Sequence, residues 1–257
     1  MAKIYIGTSG YYYRHWIGRF YPEKLIKDKW LEYYSKVFDT VELNTTFYHL
    51  PRAKTLEGWI RKTPFHFLFS VKVHQVITHI KKLKDVRSDF YGFMKVIKPL
   101  RVYNRIGCIL HQFPPTLEYD TSLLRDYISL LPKGYRHVFE FRNAEFFNDT
   151  IFLILKENGI ALCISHMRGL FAPPIATSDF VYFRFHGPEE RYRSIYNDEQ
   201  IEDFARLIWN FLLEDKIVFA YFNNDYNAYA VENAISLKKS LLKLINSKQI
   251  EDEDENN

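Results

Sequence analysis

The chain has 257 residues, of which 47% are hydrophobic and 18% aromatic, so it can bury a sizeable core and a disordered protein is excluded. Its formal net charge of +4 becomes +9 without the carboxylates of residues 251–255. A moderately basic body favours anionic partners such as phosphates or nucleic acid, although general solubility charge explains it equally well. We expect one domain over residues 1–250, followed by a disordered acidic tail over residues 251–257.

The cysteines and the apolar segments indicate the compartment. Cys108 and Cys163 each lie within an apolar run, so we expect buried free thiols and not a disulfide. No stretch approaches the roughly 20 apolar residues that a membrane span requires. We therefore expect a cytoplasmic protein without a membrane partner.

Short β-rich runs recur along the whole chain, and helical periodicity separates most of them. The runs cover residues 4–8, 40–44, 66–73, 106–113, 137–142, 161–166, 180–187 and 217–224. Several are almost continuously apolar in their first halves, which is typical of parallel strands covered by helices. Eight strand and helix repeats in about 250 residues predict a single α/β domain, a parallel (β/α)8 barrel of the TIM type.

Apolar stripes at helical spacing mark the segments between the strands. One stripe in residues 22–38 consists of Ile26, Trp30, Tyr34 and Phe38, and another consists of Val86, Phe90, Phe93 and Ile97. Further helices are expected at 123–130, 151–158, 197–213 and 230–245, with Gly159 at a C-terminal cap. Residues 167–179 contain Gly169, Pro173 and Pro174, which predicts a loop in place of the helix after the sixth strand.

Polar side chains follow almost every predicted strand. In a TIM barrel the carboxyl ends of the strands form the mouth where active sites lie. Four pairs have the spacing i, i+2, which points both members to the same side of a strand. These pairs are Glu42 and Asn44, Lys72 and His74, Glu140 and Arg142, and Arg184 and His186. We therefore predict a cluster of two carboxylates, a lysine and two arginines at the mouth.

This cluster suits a phosphate-bearing or otherwise anionic ligand, because guanidinium and ammonium groups bind phosphate and carboxylate. The expected anion contacts are Lys72, Arg142, Arg184 and His186. The expected proton-transfer groups are Glu42, Glu140 and His186. The expected orienting amides are Asn44, Gln112, Asn223 and Asn224. The version that we slightly favour is a phosphodiester hydrolase acting on nucleic acid.

Other functions fit the same residues. The cluster also suits a non-catalytic binding protein for an anionic metabolite, or a structural network of ion pairs that closes the barrel. A glycosidase would use Glu42 and Glu140 if their carboxyl groups lie roughly 5 to 10 Å apart. Histidines near the strand ends, together with these glutamates, could bind a divalent metal, but Lys72 and Arg184 would repel a central cation.

The segment after the first strand, residues 9–22, combines six aromatic side chains with basic residues. Such a segment can stack nucleic acid bases or sugars. It can also form a hydrophobic cap over the barrel, anchored by Trp16 and Phe20, and the two interpretations are compatible.

The motifs resemble those of a bacterial and archaeal family called domain of unknown function 72, or YecE-like. The resemblance covers almost the whole chain, and its motifs include residues 6–10, 41–48, 112–115, 140–142, 184–187 and 222–224. Departures include His111, where an apolar residue is usual, and His166, where an acidic residue is frequent. The resemblance implies a TIM-type barrel and no established activity.

Overall fold

A computed structural model describes the backbone of residues 3–255 and the side chains of residues 3–248. Its strands are β1 Ile4–Thr8, β2 Thr40–Leu43, β3 Leu68–Lys72, β4 Ile106–Gln112, β5 His137–Glu140, β6 Ala161–Met167, β7 Leu170–Phe171, β8 Phe180–Phe185 and β9 Ile217–Phe222. All except β7 are parallel and follow the order β1-β9-β8-β6-β5-β4-β3-β2. This arrangement is a nearly closed (β/α)8 barrel, as the sequence predicted.

Helices cover the outside of the barrel. They are α1 Trp30–Tyr34, α2 Thr45–Tyr48, α3 Ala53–Arg61, α4 Arg87–Val102, α5 Thr121–Ile128, α6 Asp149–Glu157, α7 Asp198–Leu213 and α8 Tyr229–Glu255. The stripe of Val86, Phe90, Phe93 and Ile97 is buried, as expected. Between β6 and β8 there is no helix among the described residues, and the short strand β7 turns back on β6 instead.

The first predicted helix is only partly correct. Ile26 has an extended backbone, with φ −65° and ψ 144°, and a 3-10 turn over Lys27–Lys29 precedes α1. Helical spacing therefore does not apply to Ile26, which is 66% exposed, whereas Trp30, Tyr34 and Phe38 are buried.

Local sequence signals explain the boundaries of other helices. The side chain of Asn197 accepts a hydrogen bond from the backbone of Gln200, whose side chain accepts one from the backbone of Asn197. This reciprocal cap starts α7 where it was expected. Gly159 follows α6 with φ +62°, a conformation that glycine adopts without strain.

The strands β1 and β2 share little backbone pairing at the seam between them, and an isolated bridge between Ser9 and Glu42 joins them. The hydroxyl of Tyr34 fills the seam by accepting from the backbone of Thr8 at 2.9 Å and donating to the carbonyl of Thr40 at 3.1 Å. Nearer the mouth, the amide of Gly10 donates to the carbonyl of Glu42 at 2.8 Å. These bonds close the barrel beneath the predicted cluster.

The barrel interior is filled by alternate residues of every strand. Its apolar part is formed by Cys108, Leu110, Val138, Ala161, Cys163, Phe180, Tyr182, Phe219 and Tyr221. Cys108 and Cys163 are free and buried, as predicted. Above this layer the inward positions become polar, and there the predicted site begins.

Two expectations concern the remainder of the chain. No helix in the described part of the chain has the length and hydrophobicity to cross a membrane. The side chains of the acidic tail, residues 251–257, lie outside the described residues, and so does the backbone of residues 256–257. The expected disorder of this tail therefore stays a prediction.

Candidate functional site

Apart from His74, whose Nδ1 accepts a hydrogen bond from the backbone amide of Val76 at 3.3 Å, the members of the predicted i, i+2 pairs face the interior and meet at the mouth. We call this set the polar ring, and its members are Glu42, Asn44, Lys72, Gln112, Glu140, Arg142, Arg184, His186 and Asn223. Glu42, Glu140 and His186 are fully buried, whereas Asn44, Lys72 and Arg142 retain partial exposure. The ring thus has a buried floor and an accessible upper edge.

Glu42 is saturated with hydrogen bonds. One carboxylate oxygen accepts from the hydroxyl of Ser9 at 2.6 Å and from Nη2 of Arg184 at 2.7 Å. The other accepts from the hydroxyl of Tyr182 at 2.6 Å. Tyr182 was missed by the sequence reasoning, although it stands two residues before Arg184 and alternation alone places it on the same face.

Glu140 is held between two arginines. Its Oε2 accepts from Nη1 of Arg184 at 2.5 Å, and its Oε1 pairs with Nη2 of Arg142. Burial by itself would raise the pKa of Glu140, but the two guanidinium groups and His186 hold that pKa well below its usual range. Glu140 is therefore an ionised carboxylate whose oxygens are both occupied.

Arg184 joins the two carboxylates. It is 1% exposed, and its two terminal nitrogens bond to Glu42 and Glu140 respectively. Although burial disfavours the charged form, the two carboxylates raise the pKa of Arg184 well above its usual value. Because both terminal nitrogens are engaged with protein, Arg184 has a structural role in the geometry observed here.

His186 is neutral in this environment. Burial, followed by the charge of Arg142, lowers the pKa of His186 well below its ordinary value. Nε2 lies 2.9 Å from Nη2 of Arg142 and 3.2 Å from Oε1 of Glu140. Nδ1 lies 3.1 Å from the amide nitrogen Nδ2 of Asn223.

Lys72 lacks a carboxylate partner within ion-pair distance among the described residues. Its ammonium donates to Oε1 of Gln112 at 2.8 Å and lies 4.0 Å from the centroid of the Phe47 ring. Burial is the main cause that lowers the pKa of Lys72 to about 7, and the positive charge of Arg184 adds to it. Lys72 is therefore the ring member whose charge changes near neutral pH.

A loop after β8 adds positive charge above the ring. Arg191 is exposed, its guanidinium lies 4.7 Å from the centroid of the Tyr192 ring, and its charge helps to lower the pKa of Arg142, for which burial is the main cause. The ring of Tyr192 in turn packs edge-on at 5.7 Å from His186. Sequence patterns did not identify Arg191, because a position in a loop has no periodicity that fixes its direction.

Three further predicted residues lie outside the ring. Asn224 is buried, and its side chain donates to the carbonyl of Ser194 and to Oδ1 of Asn233, so it anchors the loop after β8 and does not face the mouth. His111 and His166 also point away from the barrel interior, toward Tyr127 and Tyr196. Within the described residues, no three His, Cys, Asp or Glu side chains have the arrangement of a metal site.

A cavity of about 350 Å³ adjoins the ring over β1 and β2. We call it the aromatic cavity, and it is lined by Gly10, Tyr11, Tyr12, Tyr13, Leu43, Asn44, Thr45 and Trp59. Most of its aromatic walls come from the segment after β1, whose Trp16 and Tyr21 are buried in the core. The segment therefore packs as a cap, as expected, and at the same time contributes the walls of a cavity.

Comparisons with known proteins agree with this fold. A family model described as "Protein of unknown function DUF72" matches residues 5–255. The UPF0759 protein YunF of Bacillus subtilis is 28% identical over 278 aligned positions, which cover 94% of each chain. The UPF0759 protein YecE of Escherichia coli K12 is 31% identical over 121 positions, covering 46% of this chain and 43% of YecE.

Solved structures are similar as well. A DUF72 family protein of Thermotoga maritima is 32% identical, with a TM-score of 0.85 and coverage of 93% of this chain and 99% of that one. A DUF72 family protein of Enterococcus faecalis, 22% identical with a TM-score of 0.80, covers 93% of this chain and 95% of that one and supports the fold alone.

Proposed function

This chain belongs to the DUF72 family of proteins of unknown function, and we propose that the mouth of its barrel binds a small anionic ligand, such as one bearing a phosphate, on Lys72 and Arg142. The observation that carries the proposal is the surplus of positive charge at the accessible edge of the polar ring. Both carboxylates of the ring are buried and already paired with arginines, whereas Lys72 has no carboxylate partner among the described residues.

The upper edge of the ring has the chemistry of an anion site. Nε of Arg142 is buried and has no hydrogen-bond partner among the described residues, its Nη1 donates only to the weak acceptor Sδ of Met167 at 2.9 Å, and Lys72 donates only to an amide oxygen there. An unpaired buried donor costs roughly 1–3 kcal/mol, which an anionic acceptor would recover. Arg191 extends the positive potential outward and would attract anions toward the mouth.

Lys72 also supplies a proton-transfer group. An amine with a pKa of about 7 is divided almost equally between its two forms at neutral pH, which is the condition for efficient general acid and base catalysis. In this proposal Lys72 takes the proton-transfer role, and the expected catalytic role of Glu42 and Glu140 stays a prediction that their saturated oxygens do not favour. A glycosidase would need one of these carboxyl groups protonated.

The binding test is calorimetric titration with inorganic phosphate and with pyrophosphate at pH 6.5. We expect binding to wild type and a loss of at least about tenfold in affinity for Lys72→Met, because the ammonium contributes a charged hydrogen bond. Lys98→Met, which removes an exposed lysine of α4, is the matched control and should bind as wild type does. Absence of binding by wild type would refute the proposal.

The hydrolase version has its own test. Wild type and Lys72→Met are incubated with single-stranded and double-stranded oligonucleotides and with bis(p-nitrophenyl) phosphate, with and without added Mg²⁺ or Mn²⁺. Cleavage by wild type that Lys72→Met abolishes supports a phosphodiester hydrolase. Phosphate binding without cleavage of any of these substrates instead supports a non-catalytic binding protein for an anionic metabolite.

A further inference from the structure

We infer that the aromatic cavity holds the flat heteroaromatic ring of a nucleotide-like ligand, with Asn44 reading one edge of the ring while the phosphate lies on Lys72 and Arg142. The inference rests on the proposed anion site and names the class of ligand for it. Its basis is that one residue, Asn44, belongs both to the polar ring and to the cavity lining.

The cavity has the walls of a stacking site. The ring of Tyr12 is 55% exposed and contacts the buried Trp30, at a centroid distance of 4.9 Å and an interplanar angle of 50°. Trp59 is partly buried and stacks on Phe69 at 6.4 Å with an interplanar angle of 26°. Aromatic side chains held in this way can stack on a planar ring, and they lose little conformational entropy when they do so.

Asn44 provides a polar edge of the cavity. Its Oδ1 is buried without a hydrogen-bond partner among the described residues. Buried polar groups in proteins are almost always paired. An amide that presents an adjacent donor and acceptor is matched by a base edge with an adjacent acceptor and donor.

The position of the cavity fits a ligand that reaches the anion site. Asn44 follows β2 and Lys72 is the last residue of the adjacent strand β3, and the hydroxyl of Thr46 donates to the carbonyl of Lys72 at 2.7 Å. On the other side, the hydroxyl of Tyr13 donates to the carbonyl of Ser9, whose side chain bonds to Glu42. The cavity therefore lies beside the ring.

The lining favours a heteroaromatic ring over a sugar. A sugar carries several hydroxyl groups that each require a polar partner when buried. The cavity offers mostly aromatic and backbone surface, with Asn44 and Thr45 as its polar side chains apart from the tyrosine hydroxyls. A ring with two apolar faces and one polar edge matches that distribution.

Calorimetric titration with inorganic phosphate, adenosine and the four ribonucleoside 5′-monophosphates tests the inference. We expect at least one monophosphate to bind about tenfold or more tightly than phosphate. Tyr12→Ala should lower the affinity for that monophosphate about 5- to 100-fold, because base stacking contributes on that scale, and should leave the affinity for phosphate unchanged. Asn44→Ala should weaken it about tenfold without affecting phosphate.

Two matched controls accompany these variants. Tyr91→Ala removes a tyrosine of similar exposure, 52%, on α4, and Asn210→Ala removes an exposed asparagine on α7. Both should bind every ligand as wild type does. Because Tyr12 is exposed and Oδ1 of Asn44 has no hydrogen-bond partner among the described residues, their variants should keep the wild-type melting temperature.

The outcomes separate the two proposals. If phosphate binds and no monophosphate binds more tightly, the inference is wrong and the anion site stands. If adenosine binds but phosphate does not, the proposed anion site is wrong, while the placement of the ligand's base in the aromatic cavity stands. A single-stranded decanucleotide could instead bind more than tenfold more tightly than every monophosphate, with a steep salt dependence. That result would contradict a free nucleotide as the ligand and identify the ligand as a nucleic acid strand.

Discussion

Arg184 and Glu42 form a buried ion pair at the barrel mouth, with Nη2 of Arg184 2.7 Å from Oε1 of Glu42. The other terminal nitrogen of Arg184 bonds to Glu140, so one guanidinium neutralises carboxylates from two distant strands. Glu42 comes from β2 and Glu140 from the end of β5, which lie on different sides of the mouth. The pair thus braces the barrel across its opening.

Replacing Arg184 should be strongly destabilising. Arg184→Met leaves two buried carboxylates without their shared partner, which we expect to lower the free energy of unfolding by about 3–5 kcal/mol. Urea denaturation measures the change. The control is Arg206→Met, whose ion pairs with Glu202 and Asp203 are exposed and should contribute less than about 1 kcal/mol. Equal effects of the two substitutions would contradict the bracing role.

The hydroxyl of Tyr34 should stabilise the seam between β1 and β2. Tyr34→Phe leaves the amide of Thr8 and the carbonyl of Thr40 without this bridge, and a buried unpaired group costs about 1–3 kcal/mol. Tyr33→Phe is the matched control, because its partly buried hydroxyl has no hydrogen bond among the described residues. A loss of stability in Tyr34→Phe no larger than that of the control would show that the seam does not depend on this hydroxyl.

The surroundings of two glycines, Gly7 in this seam and Gly92 in α4, predict opposite effects of substitution by alanine on stability. A Cβ on Gly7 would lie 2.3 Å from the carbonyl oxygen of Thr40, so Gly7→Ala should lower the free energy of unfolding by about 1–3 kcal/mol or more. Gly92 lies within α4 with no heavy atom within 4 Å of an added Cβ, and Gly92→Ala should raise stability by roughly 0.5–1 kcal/mol. Urea denaturation of both variants checks the signs.

A buried chain of hydrogen bonds outside the barrel should make stability depend on pH. His137 Nε2 lies 3.1 Å from the carbonyl of Pro132, so it donates there and its Nδ1 accepts from Nε2 of His111 at 3.0 Å. Nδ1 of His111 then accepts from the hydroxyl of Tyr127 at 2.7 Å. Every polar group is satisfied only while both histidines are neutral.

Burial lowers the pKa of His137 to about 4, and burial followed by the neighbouring His137 lowers the pKa of His111 well below its usual value. The unfolded histidines have a pKa of about 6.5 and bind protons first, so stability should fall as pH decreases from about 6.5 toward 4. His111→Phe should reduce this slope relative to wild type, whereas the exposed control His49→Phe should not. If wild type and His111→Phe showed the same dependence of stability on pH, the hydrogen-bonded chain of neutral histidines would be contradicted.

Anion binding should depend on pH through Lys72. Because the pKa of Lys72 is about 7, its ammonium is lost above that value, and phosphate affinity should decrease by up to about tenfold per pH unit between pH 7 and 9. Because a bound anion stabilises the charged form of Lys72, the apparent pKa of Lys72 should lie above 7 in the complex. Calorimetry at several pH values measures both effects. Lys72→Met should bind weakly and lose most of this pH dependence, and an unchanged pH profile in that variant would exclude Lys72 as the titrating group.

The sequence by itself determined the fold and the direction of the site residues. Apolar runs separated by helical patterns predict a parallel sheet whose strands are covered on both faces, and eight such repeats in about 250 residues are typical of a closed barrel. The period of two along a strand placed Glu42 with Asn44 and Glu140 with Arg142 on the interior face, and alternation likewise turned His111 outward. These are local properties, and local sequence specifies them.

Only the tertiary structure decided which of these residues pair. Arg184 is 142 positions from Glu42, and no periodicity states that one guanidinium reaches carboxylates from two other strands. Closure of the sheet brings them together, occupies the oxygens expected to transfer protons and leaves Lys72 without a carboxylate partner among the described residues. The lowered pKa of Lys72 and the cavity beside Asn44 follow from burial and from neighbours distant in sequence, which composition and spacing do not encode.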